Sequence, residues 1–241
     1  MLNVKHAWLL LYALAVCFKL SAQQTGKVYT YKSASAGGEG KFYLGREIAQ
    51  VMSFDGAAGL ERDSRQREEN AELAISKLPI SKNSIVADIG AGTGYYTFRI
   101  APKLAQGKIY AVEIQDDAIK YLINKSRQLQ QNNVTVIKGG ERSTNLPANA
   151  IDLAIMVDVY HELLYPQEML QAIRLSLKPK GKLLLLEYRA EDPGVPIKVL
   201  HKMSVAQVNK EMKANGFHWC SAANLCRYSI SWFTRGIKAI R

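Results

Sequence analysis

Val86-Ala87-Asp88-Ile89-Gly90-Ala91-Gly92-Thr93-Gly94-Tyr95-Tyr96 decides the fold of this 241-residue chain. A short apolar run reads as a buried strand. It breaks into three alternating glycines and leads into a segment able to start a helix. Glycine lacks Cβ, so Gly90, Gly92 and Gly94 permit positive φ and let a ligand lie against the backbone, while the first N–H groups of the next helix face the same point. A nucleotide-like ligand is expected there.

Two ligands compete for this turn. A dinucleotide fingerprint is G-x-G-x-x-G, its third glycine allowing close packing of helix and strand. Here the spacing is G-x-G-x-G, and Tyr95 stands where that glycine belongs. Asp88, two residues before Gly90, meets a diphosphate at a like-charge cost but can hold the ammonium of an amino acid. S-adenosylmethionine (SAM) is therefore favoured. Asp88, Gly90, Ala91, Gly92, Thr93 and Gly94 are the expected cradle.

Further along, Lys108 to Ile114 predicts a second buried strand. Glu113 ends it 19 residues after Gly94, with Ile114 beside it. In a βαβ unit an acid at that point faces the crevice of the glycine turn and can accept both ribose hydroxyls. Asp116 to Gln131 has helical spacing, and Asn133 to Lys138 reads as a third strand. The following Gly139-Gly140 turn makes Glu141 a candidate for the adenine edge. Ile151 to Val157 is almost continuously apolar, as expected of a strand buried on both faces. It runs into Asp158-Val159-Tyr160-His161-Glu162, where a substrate would meet a methyl donor. Asp158, Tyr160 and His161 are the candidate catalytic residues. His161 suits a general base, though a structural partner of Glu162 or of a backbone carbonyl is the favoured reading. Leu163 to Leu177 predicts a helix, Lys178 to Gly181 a turn, and Lys182 to Tyr188 a fifth strand.

Upstream, Lys5, the apolar run Ala7 to Phe18 and the small residues Ser21-Ala22 read as a secretory signal over residues 1–22. Export with cleavage after Ala22 is expected, with an uncleaved membrane anchor as the alternative. No transmembrane span is expected to remain after cleavage. Residues 23–41, rich in Ser, Ala and Gly, read as a linker. Phe42 to Met52 has helical spacing, and Arg65 to Leu78 is a second helix that Pro79 ends. Together residues 42–80 make a helical lid on the domain 42–241, with Tyr43, Arg46, Glu61 and Arg62 as candidate lid residues. Loss of Lys5 and Lys19 would lower the net charge from +11 to +9. The remaining Lys and Arg are scattered among acids, and no nucleic-acid stripe is evident. No His or Cys spacing matches a metal site, so no metal is expected. Cys220 and Cys226 either pair or remain as two thiols.

Asp88 to Gly94, Glu113, Asp152 to Val157 and Leu177 to Lys182 together resemble the class I SAM-dependent methyltransferases, over roughly residues 42–233. Tyr43 to Ala49, Asp158 to Glu162 and Glu187-Tyr188-Arg189 are similar to an exported bacterial subgroup of methyltransferase-domain proteins. The resemblance implies a doubly wound, Rossmann-like α/β fold. Its mostly parallel, seven-stranded sheet would carry helices on both faces and close with a hairpin from Gly216 to about Phe233. It implies SAM as cofactor and an unidentified methyl acceptor, with a small molecule slightly favoured. The chain departs from the subgroup near Ala58 to Asp63, which lacks Trp and Pro, and at Arg142 and Ser143, where acids are usual. After Leu225 it departs again. There Tyr228, Ile230 and Trp232 make an ordinary alternating strand, and a segment read out of frame is the alternative.

Overall fold

The computed structural model describes residues 28–225 and 228–235. The expected signal segment 1–22, Cys226 and residues 236–241 lie outside the described residues.

The chain begins with a three-stranded antiparallel sheet of β1 (Tyr29–Tyr31), β2 (Gly38–Tyr43) and β3 (Arg46–Ala49), in the order β1-β2-β3. This corrects two expectations, the linker through Lys41 and the helix from Phe42. The hairpin arises because Tyr43 pairs with Arg46 across Leu44-Gly45, whose φ values are +48° and +97°. Two positive φ angles in a two-residue turn match the right-handed twist of paired strands. The Leu-Gly pair outweighs the helical spacing of the apolar residues around it. Glu47 then ties down the glycine-rich stretch. Its carboxylate accepts from the Ser35 N–H (3.0 Å), the Gly40 N–H (3.0 Å) and the Ser35 hydroxyl (2.6 Å).

Three short helices follow, α1 (Ala57–Leu60), α2 (Arg65–Glu69) and α3 (Ala71–Ser76). The single helix expected from Arg65 to Leu78 is split at Asn70, which takes φ +51° and caps α3 by accepting the Leu73 N–H. Asparagine tolerates the left-handed region and its side chain replaces a lost helical bond.

The main sheet contains β4 (Ile85–Ile89), β5 (Lys108–Glu113), β6 (Val134–Lys138), β7 (Ile151–Val157) and β8 (Leu177–Tyr188). All five are parallel, in the order β6-β5-β4-β7-β8. Between β4 and β5 lies α4 (Thr97–Ile100), ended by a 3₁₀ turn at Ala101–Lys103 that contains the expected break at Pro102. The other crossover helices are α5 (Asp116–Gln128) and α6 (Pro166–Ser176), and α7 (Val205–Ala214) follows β8. Lys178 to Gly181 do not leave the strand as a free turn. They bulge within β8, so that Ile151 faces Leu177 but Leu153 faces Lys182. Beyond β8 the order continues with β10 (Tyr228–Arg235) and then β9 (Phe217–Leu225), β10 antiparallel to both neighbours.

Alternation along the strands divides the core. Val86, Ile109, Leu153, Ile155, Leu184 and Leu186 point to the face covered by α3 and α4. Ala87, Ile89, Val112, Met156, Leu183 and Leu185 point to the face covered by α6 and α7. Each fully buried Leu or Ile contributes about 1.5–3 kcal/mol, so the register that keeps both faces apolar is strongly preferred. From β4 the chain winds outward to β5 and β6, then returns to place β7 on β4's other side. The crevice at that reversal, at the strands' C-terminal ends, is where ligands bind in such sheets. Among the described residues no helix is long and apolar enough to cross a membrane.

The hairpin turn gives a direct stability test. A Cβ at Gly45 would meet only the Lys210 Nζ, at 3.9 Å, so a substitution there reports backbone strain rather than a clash. Gly45→Val should destabilise the protein by about 1–2 kcal/mol, read as a lower urea midpoint with an unchanged slope.

Candidate active site

The turn after β4 is held from below by β5. The N–H groups of Gly90 and Ala91 both donate to the Val112 carbonyl, at 2.9 and 3.1 Å. Gly90 and Gly94 have φ of +73° and +75°, and neither has room for a Cβ. At Gly90 it would lie 2.6 Å from Val159, and at Gly94 2.3 Å from Phe98. Gly94 therefore serves helix packing, the role a dinucleotide fingerprint gives to the residue one place later. It does not line the cavity, whereas Gly90, Ala91, Gly92 and Thr93 do.

That cavity has a volume of about 900 Å³, within the ~300–1,000 Å³ of small-molecule sites. It lies along the C-terminal ends of β4, β5, β6 and β7. Asp88, Glu113, Ile114, Glu141 and Asp158 also line it, so most of the sequence-derived cofactor residues converge. Glu113 is buried and oriented by three backbone donors, Gly92 N–H at 2.8 Å, Ile114 N–H at 2.7 Å and Gln115 N–H at 3.1 Å. Glu141 is exposed at the rim beside Gly139 and Gly140.

Asp88 is buried and accepts the Thr97 hydroxyl at 2.6 Å. Burial pushes its carboxyl up to about 6, against Thr97, whose bonds favour the ionised form. Asp158 sits at φ +57°, a costly conformation for a residue with a side chain, and its Oδ1 accepts no hydrogen bond, the His161 Nδ1 lying 3.9 Å away. Burial raises it to about 7, with His161 pulling the other way and Glu187 adding to the rise. The Thr93 Oγ1 and Tyr96 Oη are likewise buried without partners, and both residues line the cavity. Three orphaned polar atoms around one cavity are what a polar ligand would satisfy.

Two expected catalytic residues are placed elsewhere. Tyr160 is fully buried, its hydroxyl donating to Glu211 Oε2 at 2.6 Å, and does not line the cavity. Burial and Glu211 hold its hydroxyl well above the usual phenol range. Glu211 also binds Arg46 at 2.8 Å, so this pair staples β3 to α7. His161 is also off the cavity wall. Its Nδ1 bonds Glu187 Oε2 at 2.7 Å and its Nε2 lies 3.0 Å from His201 Nδ1. Burial favours the neutral ring, but Glu187 and Glu162 outweigh it and hold His161 at about 10. His161 contacts His201 and Glu162, which do reach the cavity. The strand signal ends at Val157, and the 3₁₀ turn Tyr160–Glu162 then rotates alternate side chains inward.

The lid also differs. Tyr43 and Arg46 dock on Asn215 and Glu211, away from the cavity, and Glu61 binds Lys125 at 3.0 Å. Only Arg62 of the expected lid residues lines the cavity. The cover is instead Met52, Phe54 and Leu60. Gln115 pins it by donating to the Met52 carbonyl (3.1 Å) and accepting the Phe54 N–H (2.9 Å). Arg65, Glu69 and Tyr188 form a polar wall on the other side, with Arg65 2.6 Å and Tyr188 3.1 Å from Glu69. No local spacing pointed to these residues, because they come from three separate parts of the chain.

A parallel doubly wound sheet with this glycine turn, Glu113 and an acid-lined cavity defines a nucleoside-binding methyltransferase domain. The model of the family described as "Methyltransferase domain" matches residues 80–234, and the chain belongs to that family. Its members use SAM, which the site fits through its cradle and its orphaned polar atoms. A tRNA U34 carboxymethyltransferase of Desulfotalea psychrophila is 29% identical over 141 residues, 57% of this chain and 42% of that protein. A probable cobalt-precorrin-6B C(15)-methyltransferase of Methanothermobacter thermautotrophicus is 30% identical over 105 residues, 43% of this chain and 52% of that one. The chain thus spans about half the length of these curated relatives. A crystal structure of a SAM-dependent methyltransferase from Aquifex aeolicus superposes with a TM-score of 0.71 at 22% identity, covering 76% of this chain and 98% of that one.

Two measurements test the cradle. Glu113→Ala should weaken SAM binding by about 1.5–3 kcal/mol, the worth of hydrogen bonds to a charged group, in a calorimetric titration. An ionised Asp88 is needed to hold an ammonium. SAM affinity should therefore be constant above about pH 7 and fall as pH drops through about 6, where Asp88 takes up its proton. Asp88→Asn should remove that step.

Proposed function

We propose that this protein transfers the methyl group of SAM to a small acceptor bound between Asp158, Glu162 and His201. The carrying observation is that the cradle of Asp88, Gly90 to Thr93 and Glu113 shares one cavity with an Asp158 oxygen that accepts no hydrogen bond. SAM, when bound, supplies an electrophilic methyl group. The chain's part is to hold donor and acceptor in line and exclude water. Asp88 would hold the ammonium, Glu113 the ribose hydroxyls and Glu141 the adenine edge. Asp158 would take the acceptor's proton as the new bond forms. Met52, Phe54 and Leu60 close the top.

Carboxylates outnumber cations along the cavity, with Glu39, Glu69, Asp88, Glu113, Glu141, Asp158 and Glu162 against Arg62, Arg65 and Lys198. That balance suits a sulfonium ligand. The tRNA named for one relative is not carried over, because the basic residues here form no stripe and the cavity is roofed by apolar side chains. A small acceptor fits beside SAM under such a roof.

We propose further that the protein works outside the cytoplasm, as a member of the exported subgroup. The support is the sequence of residues 1–22 and the likeness at Tyr43 to Ala49. We also take β9 and β10 to complete a seven-stranded sheet in the working protein, supported by the pairing of β10 with β8 from Tyr228 to Thr234.

Incubation of the protein with labelled SAM and a small-molecule extract should give a labelled product. Asp158→Asn should slow it about 10²-fold or more, the usual cost of losing a general base. Binding without any transfer would leave a SAM-binding protein instead. Mass spectrometry of the mature chain should find Gln23 at the N-terminus. An intact Met1 would remove the export proposal.

A further inference from the structure

Sequence spacing separates His161 and Glu162 from His201, but folding brings them together beside the cavity. His161 Nε2 lies 3.0 Å from His201 Nδ1 and 3.7 Å from Glu162 Oε1, and His201 Nδ1 lies 3.5 Å from Glu162 Oε1. Ligand bonds of about 2.0–2.2 Å put neighbouring donor atoms of a tetrahedral or octahedral shell about 3.0–3.5 Å apart. The three atoms already stand at nearly those separations. We propose that His161, Glu162 and His201 form a divalent transition-metal site, zinc foremost, that opens into the SAM cavity.

The surroundings fit this better than a plain hydrogen-bonded histidine pair. Glu187 accepts from His161 Nδ1, so a metal ion that displaced the Nε2 proton of the charged ring would find that nitrogen already aimed at the site, as with carboxylates behind metal-bound histidines. Glu187 is itself held by the N–H groups of Tyr160 (2.8 Å) and Val159 (3.3 Å). Glu162 Oε1 is steadied by the Met52 N–H at 3.2 Å. With Asp158 and Glu187 close by, a dication enters a region of negative potential. Two imidazoles and a carboxylate are a donor set for zinc, and three protein ligands leave coordination positions open. His201 and Glu162 line the cavity while His161 stands behind them, so the open positions face the cavity. An oxygen or sulfur donor on the acceptor would complete the shell. This last point rests on the methyltransferase reading; the metal site itself does not.

The test uses untagged full-length protein stripped with a chelator and titrated with Zn²⁺ by calorimetry and with Co²⁺ by visible absorption. One ion per chain is expected, with a Co²⁺ d–d band. His201→Asn and Glu162→Gln, both partly exposed, should each weaken binding at least about tenfold, as loss of a metal-supporting residue does. Circular dichroism should show both variants folded. Absence of stoichiometric binding, or equal affinity in the two variants, would overturn the site. SAM affinity measured on the same samples keeps the two readings apart. Zinc binding without SAM binding supports the metal site and counts against the cofactor reading.

Discussion

The structure depends on how the end of β5 grips the turn after β4. The Val112 carbonyl takes two N–H groups of that turn and the Glu113 carboxylate takes a third, from Gly92. Left-handed glycines cost backbone entropy, and these three bonds are what fix them in one conformation. With the turn fixed, Asp88, Thr93 and Glu113 surround one volume. Without it the strands would still pack, but their C-terminal ends would present no cradle.

Ion pairs and carboxylates elsewhere are used to fasten separate layers rather than to add stability in isolation. Glu47 secures the glycine-rich approach to β2, Glu211 joins β3 and the 3₁₀ turn to α7, and Glu69 collects Arg65 and Tyr188 on the cavity wall. Each carboxylate is buried and satisfied several times over, as burying a charge requires. Asp158 is the contrast. It is held in a strained conformation with one oxygen that accepts no hydrogen bond, and such exceptions gather at working sites.

Much of the site was legible because its signals are local. Glycine spacing, an acid at the end of the next strand and a continuous apolar run are each properties of fewer than a dozen adjacent residues. The βα repeats from β4 to β8 follow the same logic, since a strand buried on both faces must be apolar almost throughout. The N-terminal region departs from its sequence pattern for the converse reason. Its apolar residues fit a helical spacing, and only the positive φ at Leu44 and Gly45 shows that the chain turns back on itself.

By itself the sequence determined the doubly wound parallel core, the glycine turn, the roles open to Asp88 and Glu113, and the likeness to SAM-dependent methyltransferases. The tertiary structure alone decided which side chains face the cavity. It turned Tyr160 and His161 away from it, gave the cover to Met52, Phe54 and Leu60, and set His201 beside His161 across 40 residues of chain. Those placements depend on how a 3₁₀ turn, a hairpin and a late loop dock on the sheet. Docking is governed by long-range packing and by hydrogen bonds between distant segments, which leave no periodic trace in the order of residues.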